Sequence, residues 1–361
     1  MNLIDIDKNF NTTFIEPDDI EWFSALQVPF KIFGVDYSDK EKIFRRMPQI
    51  IANKISDGVS TLSTNTSGGR LKFSTDSPYI AIRCVQPFSN PMTHMTNVAK
   101  GGFSLFVDGK FASMFAPTYA QYKNGEECGQ IVFDGMKNLE STKRCDITLF
   151  FPLYSGVSKL YIGLKKGCKL DSPIPYKKSG RILFYGSSVT QGACASKPGD
   201  DYVNLISQRL DIDVINLGFS GSAKAEKRMI NYIADIDARA YVFEYDYNSP
   251  SVEHLKITHF ELYKTLRKNQ PQKPILFMTK PTMNEFMSDN DRHRYDIIKN
   301  TCYHAKKVGD KNVYFINLHG CLLDKQKNLY GTVDNIHPNS LGFAKIADII
   351  YPVLKKLLNN I

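Results

Sequence analysis

The sequence predicts a two-part protein of α/β class. An all-β, jelly-roll-like sandwich is expected over residues 1–172, then a three-layer domain with a five-stranded parallel sheet over 173–361. Three observations predict it. Up to about residue 170 apolar residues recur with period two; beyond about residue 180 short apolar runs alternate with helical periodicity. Between them lies "DSPIPYKKSG" (Asp171 to Gly180), a polar, proline-bearing stretch that reads as a linker. The 361 residues are enough for two domains of ordinary size.

In the first part, Leu71 and Phe73, then Ile80, Ile82 and Cys84, then Phe103, Leu105 and Val107 occupy alternate positions. Asp108-Gly109, between "FSLFV" and "KFASMF", predicts a tight hairpin because both turn positions tolerate positive φ. "DITLFFPLY" and "KLYIGL" continue the series of short strands, as in a sandwich. In the second part, "RILFY", "DVINLG", "YVFEYD", "PILFMTK" and "VYFINL" are the expected strands. Tyr295, Ile298, Cys302 and Ala305 keep the spacing of a buried helix face, as do Phe343, Ile346, Ile350, Leu354 and Leu357, where Pro352 is expected to kink the helix. Strand–helix alternation implies a parallel sheet covered on both faces.

Composition excludes several classes. With 42% hydrophobic and 23% charged residues the chain is of ordinary globular type, and no apolar run reaches the ~18 residues of a membrane span. "MNLIDIDKNFNTTF" lacks a basic segment followed by an apolar one, so a cytoplasmic location is expected. The seven cysteines are scattered and never form a C-x-x-C pair, which argues for free thiols rather than disulfides or a zinc knuckle. The net charge of +9 is dispersed among acidic residues, so it favours solubility over nucleic-acid binding. There is no P-loop, no Gly-x-Ser-x-Gly elbow and no helix-opening Gly-x-Gly-x-x-Gly.

Sites in such sheets gather at the carboxyl ends of the strands. The groups expected there are Gly186-Ser187-Ser188-Val189-Thr190, then "NLGFSGSA" (Asn216 to Ala223), "YDYNSP" (Tyr245 to Pro250) and "DNIHP" (Asp334 to Pro338). Together they supply what acyl transfer needs. A serine hydroxyl requires a base, and His337 can serve with Asp334 orienting its ring. An oxyanion requires donors, and the amides of Ser188 and Gly221 with the Asn248 side chain can converge on one. Each has a plainer reading. Ser188 and Thr190 can cap a helix, Gly221 can permit a turn, Asn248 beside Pro250 suits a turn, and Asp334 with His337 can ligate a metal, although further ligands at sensible spacing are missing. The six other histidines, His94 among them, read as structural or surface groups.

These four blocks, in this order, resemble the SGNH (GDSL-type) hydrolases, over the stretch from Arg181 to the end. The resemblance makes Ser188 the nucleophile, Asp334 and His337 its partners, and Ser188, Gly221 and Asn248 the oxyanion hole, with no metal or organic cofactor. Two departures stand out: Ser187 occupies the place of the family's usual Asp, and "YDYNSP" lacks the usual Gly-x-Asn-Asp pattern. "FGVDYSD" (Phe33 to Asp39) is similar to the G-x-D-[LY]-Y segment of members with an N-terminal sandwich. The same domain order resembles carbohydrate esterase family two, in some of whose members the acid is dispensable. The resemblance implies a serine esterase removing O-acetyl groups from oligo- or polysaccharide fragments, with Tyr202, Tyr245 and Tyr247 as candidates to stack on a sugar. A short-chain lipid esterase or thioesterase, and a non-catalytic sugar-binding protein, are the alternatives. No nucleic-acid or membrane partner is expected.

Overall fold

The computed structural model describes residues 16–139, 143–284, 286–326 and 328–359. The stretch that prompted the expectation of no leader, "MNLIDIDKNFNTTF", lies outside them.

Two antiparallel sheets enclose the first core. One runs in the order Ile20–Ser24, Lys159–Lys165, Tyr79–Pro87, Gln130–Asn138. The other runs Leu170–Asp171, Arg70–Thr75, Cys145–Phe150, Phe103–Val107, Lys110–Phe115, with Lys31–Phe33 also pairing Arg70–Thr75. Inward residues of both, such as Ile82, Cys84, Phe133 and Ile162 against Leu71, Phe73, Leu105 and Ile147, form one apolar cluster, as a sandwich requires. The expected hairpin is present, with Asp108 at φ 48° and Gly109 at φ 76°. Period-two reading missed the helices between strands. One of them, Tyr119–Cys128, opens with a capping box in which Thr118 and Gln121 satisfy each other's backbone N–H groups.

The second part is a parallel sheet of five strands: β1 (Lys178–Gly186), β2 (Ile212–Gly218), β3 (Ala240–Glu244), β4 (Ile275–Met278) and β5 (Val313–Ile316). Their order is β2-β1-β3-β4-β5. Strand β1 starts inside the expected linker, so Lys178, Ser179 and Gly180 belong to it, with a register irregularity before Arg181. The helices are α1 (Ser188–Gln191), α2 (Tyr202–Leu210), α3 (Lys227–Asp235), α4 (Val252–Asn269), α5 (Asp289–Lys307) and α6 (Ser340–Asn359). On one face Phe184, Val214 and Leu276 pack with Ile206 of α2 and Phe343, Ile346 and Ile350 of α6. On the other, Tyr185, Phe243 and Phe277 pack with Ile230 of α3, Leu255 and Leu262 of α4, and Ile298 and Cys302 of α5. Burial on both faces explains the unbroken apolar strands. Helix α6 continues through Pro352 rather than ending there. Among the described residues no helix is long and apolar enough to cross a membrane.

The two parts share a core. Met95, Ala99, Leu153 and Tyr154 of the sandwich join the cluster containing Ile182 and Phe184. Arg70 reaches across to the Asp213 carboxylate and, at 3.1 Å, to the Val214 carbonyl.

Candidate active site

The order β2-β1-β3 makes the carboxyl end of β1 a switch point, where loops diverge and leave a crevice. Gly186 ends β1 there. A Cβ on it would lie 2.1 Å from Thr190 Oγ1 and 2.3 Å from the Glu244 carbonyl, so only glycine lets the chain turn this tightly. Ser187 caps the single-turn α1, its Oγ accepting from the Val189 N–H at 3.1 Å. The capping role thus falls to Ser187, and the Ser188 hydroxyl is left for another partner.

That partner is His337. Its Nε2 lies 3.0 Å from Ser188 Oγ, and its Nδ1 lies 2.7 Å from Asp334 Oδ2. A carboxylate only accepts, so the ring proton sits on Nδ1 and Nε2 is the acceptor facing the serine. The other Asp334 oxygen accepts from the backbone N–H groups of His337 at 2.7 Å and Ile336 at 3.1 Å. Partial burial by itself raises the Asp334 pKa, but these donors and the imidazole outweigh it and hold the carboxyl down at about 2. The loop folds back on itself through Thr332 Oγ1 and the Val333 N–H, which both donate to the His337 carbonyl at 2.9 and 3.0 Å.

The loops after β2 and β3 are tied to the turn that carries Ser188, the Phe219 N–H donating to the Gly186 carbonyl at 2.9 Å. Gly221 takes φ +65°, with open space where a side chain would stand, so the left-handed backbone selects glycine there. Neither its N–H nor that of Ser188 has an acceptor among the described residues. Asn248 donates one Nδ2 hydrogen to the Phe219 carbonyl at 2.9 Å, which ties the β3 loop to the glycine loop. Gln191 of α1 accepts from the Ser220 N–H at 3.0 Å and donates to Asn65 Oδ1 of the sandwich at 3.1 Å. Arg46, also from the sandwich and buried, donates to the carbonyls of Gly218 at 2.5 Å, Asn216 at 3.2 Å, Leu62 at 2.6 Å and Asn65 at 2.9 Å, and lies over the Phe219 ring. Burial lowers its pKa to about 9.

The family models of the GDSL-like lipase/acylhydrolase family and of the N-terminus of SGNH-hydrolase-type esterases match residues 179–355 and 20–170 respectively. The chain belongs to the SGNH (GDSL-type) hydrolases. It is an ester-bond hydrolase with an N-terminal sandwich of the G-x-D-L-Y type. Among solved structures it is similar to a Bacteroides ovatus protein designated a GDSL-like lipase: 27% identity, TM-score 0.81, with 94% of this chain and 98% of that one covered. A salicylyl acyltransferase from a tetracycline biosynthetic pathway aligns at 17% identity and TM-score 0.76, covering 95% and 98%. A family two carbohydrate esterase from Clostridium thermocellum, in complex with cellohexaose, aligns at 14% identity and TM-score 0.64, covering 91% and 99%. No curated protein matches the sequence.

Sequence reasoning missed how this SGNH hydrolase fills the place of the usual acid before the nucleophile. Ser187 Oγ donates to Glu244 Oε2 at 2.8 Å, and Thr190 Oγ1, itself 2.7 Å from the Tyr202 hydroxyl, donates to the same oxygen at 3.1 Å. A carboxyl group therefore lies under the Gly186–Ser188 turn, delivered from the end of β3. Burial, with the nearby Asp246 charge adding, pushes its pKa up to about 8. The signal was a lone acid ending an apolar strand, "YVFE". Asp246 is buried too, and its Oδ2 accepts from the Lys280 N–H at 3.2 Å, fastening the β3 loop to the β4 loop.

Tyr202 and Tyr245 are buried, Tyr202 against Phe343 and Tyr245 with its hydroxyl 3.1 Å from Thr258 Oγ1, so neither ring is available to a sugar. His94, read as a structural or surface group, stacks its ring on His337 with centroids 5.2 Å apart.

Proposed function

We propose that this hydrolase is a serine acetylesterase that removes O-acetyl groups from carbohydrates. The observation that carries the reading is the continuous chain Ser188 Oγ to His337 Nε2 at 3.0 Å and His337 Nδ1 to Asp334 at 2.7 Å. Ser188 attacks the ester carbonyl as His337 takes its proton, a step whose base assistance is worth roughly 10²–10⁴-fold. Asp334 holds the ring and stabilises the imidazolium. The unpartnered N–H groups of Ser188 and Gly221 and the second Nδ2 hydrogen of Asn248 receive the oxyanion. His337 then protonates the departing sugar hydroxyl, and afterwards takes a proton from the water that releases acetate and restores Ser188.

The acetyl preference is supported by the chain after the nucleophile. "ACASKPGDDY" (Ala193 to Tyr202) is small and polar, whereas a long acyl chain needs an apolar groove. The carbohydrate reading is supported by the resemblance to family two carbohydrate esterases, and a cytoplasmic location goes with it as part of the proposal. The test is acetate release from acetylated xylan or mannan fragments, alongside a chain-length series of nitrophenyl esters. We expect release that disappears in Ser188→Ala and His337→Ala, with rates falling beyond acetate. Butyrate and longer esters cleaved as fast as acetate would replace this reading with a lipid esterase. Sugar binding without hydrolysis would replace it with a binding protein.

A further inference from the structure

Three side chains of metal-ligating type, one of them the His337 imidazole, meet from three distant stretches of chain. His94 comes from the sandwich segment before the short helix Asn97–Gly101, Cys194 from the turn after α1, and His337 from the loop before α6. One ligand atom of each lies within 4.8 Å of the other two. Cys194 Sγ lies 3.3 Å from the His94 carbonyl, which it faces as donor, and the His94 ring stacks on His337. The cluster is therefore a packed arrangement that ties the sandwich to the active site.

Two imidazoles and a thiol form a borderline-soft nitrogen and sulfur set, which suits zinc and leaves a fourth position for water. His337 is already dressed for such a role. Asp334 occupies Nδ1, which leaves Nε2 as the nitrogen a metal would take, and a carboxylate behind a metal-bound histidine fixes its ring as outer-sphere partners of metal sites do. Both histidines are half-buried rather than sealed, so a cation can enter from solvent. The Cys194 thiol is buried, and a bound cation supplies the positive charge that lets it exist as thiolate.

We propose that His94, Cys194 and His337 form a binding site for zinc or a similar divalent cation, and that filling it switches the esterase off. Binding forms three metal–ligand bonds and breaks the Cys194 S–H bond, whose proton passes to the buffer. The Nε2 lone pair that receives the Ser188 proton during hydrolysis is then engaged by the metal. The inhibitory half rests on the function proposed above; the binding half does not.

The test uses the full chain with cobalt(II) as spectroscopic probe and zinc(II) in a nitrophenyl acetate assay. Cobalt should produce a near-ultraviolet thiolate-to-metal charge-transfer band that zinc displaces and that Cys194→Ser abolishes. Zinc should inhibit over the same concentration range, with activity restored by a chelator. Cys194→Ser and His94→Phe, the latter keeping a stacked ring, should each weaken inhibition at least ~10-fold relative to their own metal-free rates, the scale at which even outer-sphere losses act. A cobalt band that survives Cys194→Ser, or zinc inhibition unchanged in both variants, overturns the proposal. A band lost in Cys194→Ser from a protein with no metal-free esterase activity upholds the site and removes the proposed function instead.

Discussion

The two sides of the Ser188–His337 pair are built in opposite ways. Every residue from Gly186 to Ala195, on the serine side, is buried, and the turn is locked to Glu244 and Tyr202 and, through Gln191, to the sandwich. On the histidine side, Val333 to Ile336 are all exposed, Val333 by 52% and Ile336 by 42%, and the loop is held by local hydrogen bonds. The difference teaches where precision comes from. The serine inherits its position from the core of both domains, while the histidine is placed by one carboxylate, the turn around it and the His94 ring stacked on it. Damage on the buried side should appear strongly in stability as well as rate; damage on the exposed side should appear chiefly in rate.

Variants can break that contrast, and the largest effect is expected at the pair itself. Ser188→Ala or His337→Ala should each lower kcat for nitrophenyl acetate by at least ~10⁴-fold, and the double variant should lose little more, because the two act as a unit. Asp334→Asn should cost up to ~10⁴-fold through the wrong ring tautomer. The depressed Asp334 carboxyl also contributes to the fold at neutral pH, so the unfolding midpoint should fall somewhat, but much less than in Arg46→Met; an equal drop would contradict the exposed-side assignment. Asn248→Ala should lower kcat ~10²–10³-fold with a smaller change in KM, the mark of a donor used in the transition state.

On the buried side Arg46→Met should cost about 3 kcal/mol or more in denaturant unfolding. It strips the donor from carbonyls of Gly218, Asn216, Leu62 and Asn65, and each buried orphan costs roughly 1–3 kcal/mol. An unchanged midpoint would mean that the glycine loop does not depend on the sandwich.

Glu244 sharpens the contrast through pH. Its carboxyl is raised from 4.5 to about 8 in the folded protein, so between those values the native state holds a proton that the unfolded chain has lost. Its contribution must therefore weaken the fold as pH rises across that window. Glu244→Gln should flatten that decline, and a decline just as steep in the variant would place its origin elsewhere. The smallest effect is expected at Ile336→Ser, within about 0.5 kcal/mol of wild type, as for most exposed positions.

The sequence made much of this legible where chemistry and local periodicity coincide. Ser188 stood at a strand end, and Asp334 and His337 in the loop entering the last helix, with the right residue types, and the structure brings them within hydrogen-bond reach. The five apolar runs became five parallel strands because burial on both faces leaves the same signature in each. What was hidden depends on long-range packing. Glu244 looked like a strand's polar end until β3 lay beside β1. Arg46, Asn65 and His94 sit in the sandwich, 100 residues or more before the groups they serve, and no local pattern marks them. The helices within the sandwich escaped because they are short, Tyr119–Cys128 included, with weak apolar periodicity.

The most direct test of the Ser188–His337 pair is mass spectrometry after incubation with a serine-reactive fluorophosphonate. The account predicts one labelled peptide, modified at Ser188, with labelling lost in His337→Ala. Label on any other serine, or undiminished labelling without the histidine, would contradict it.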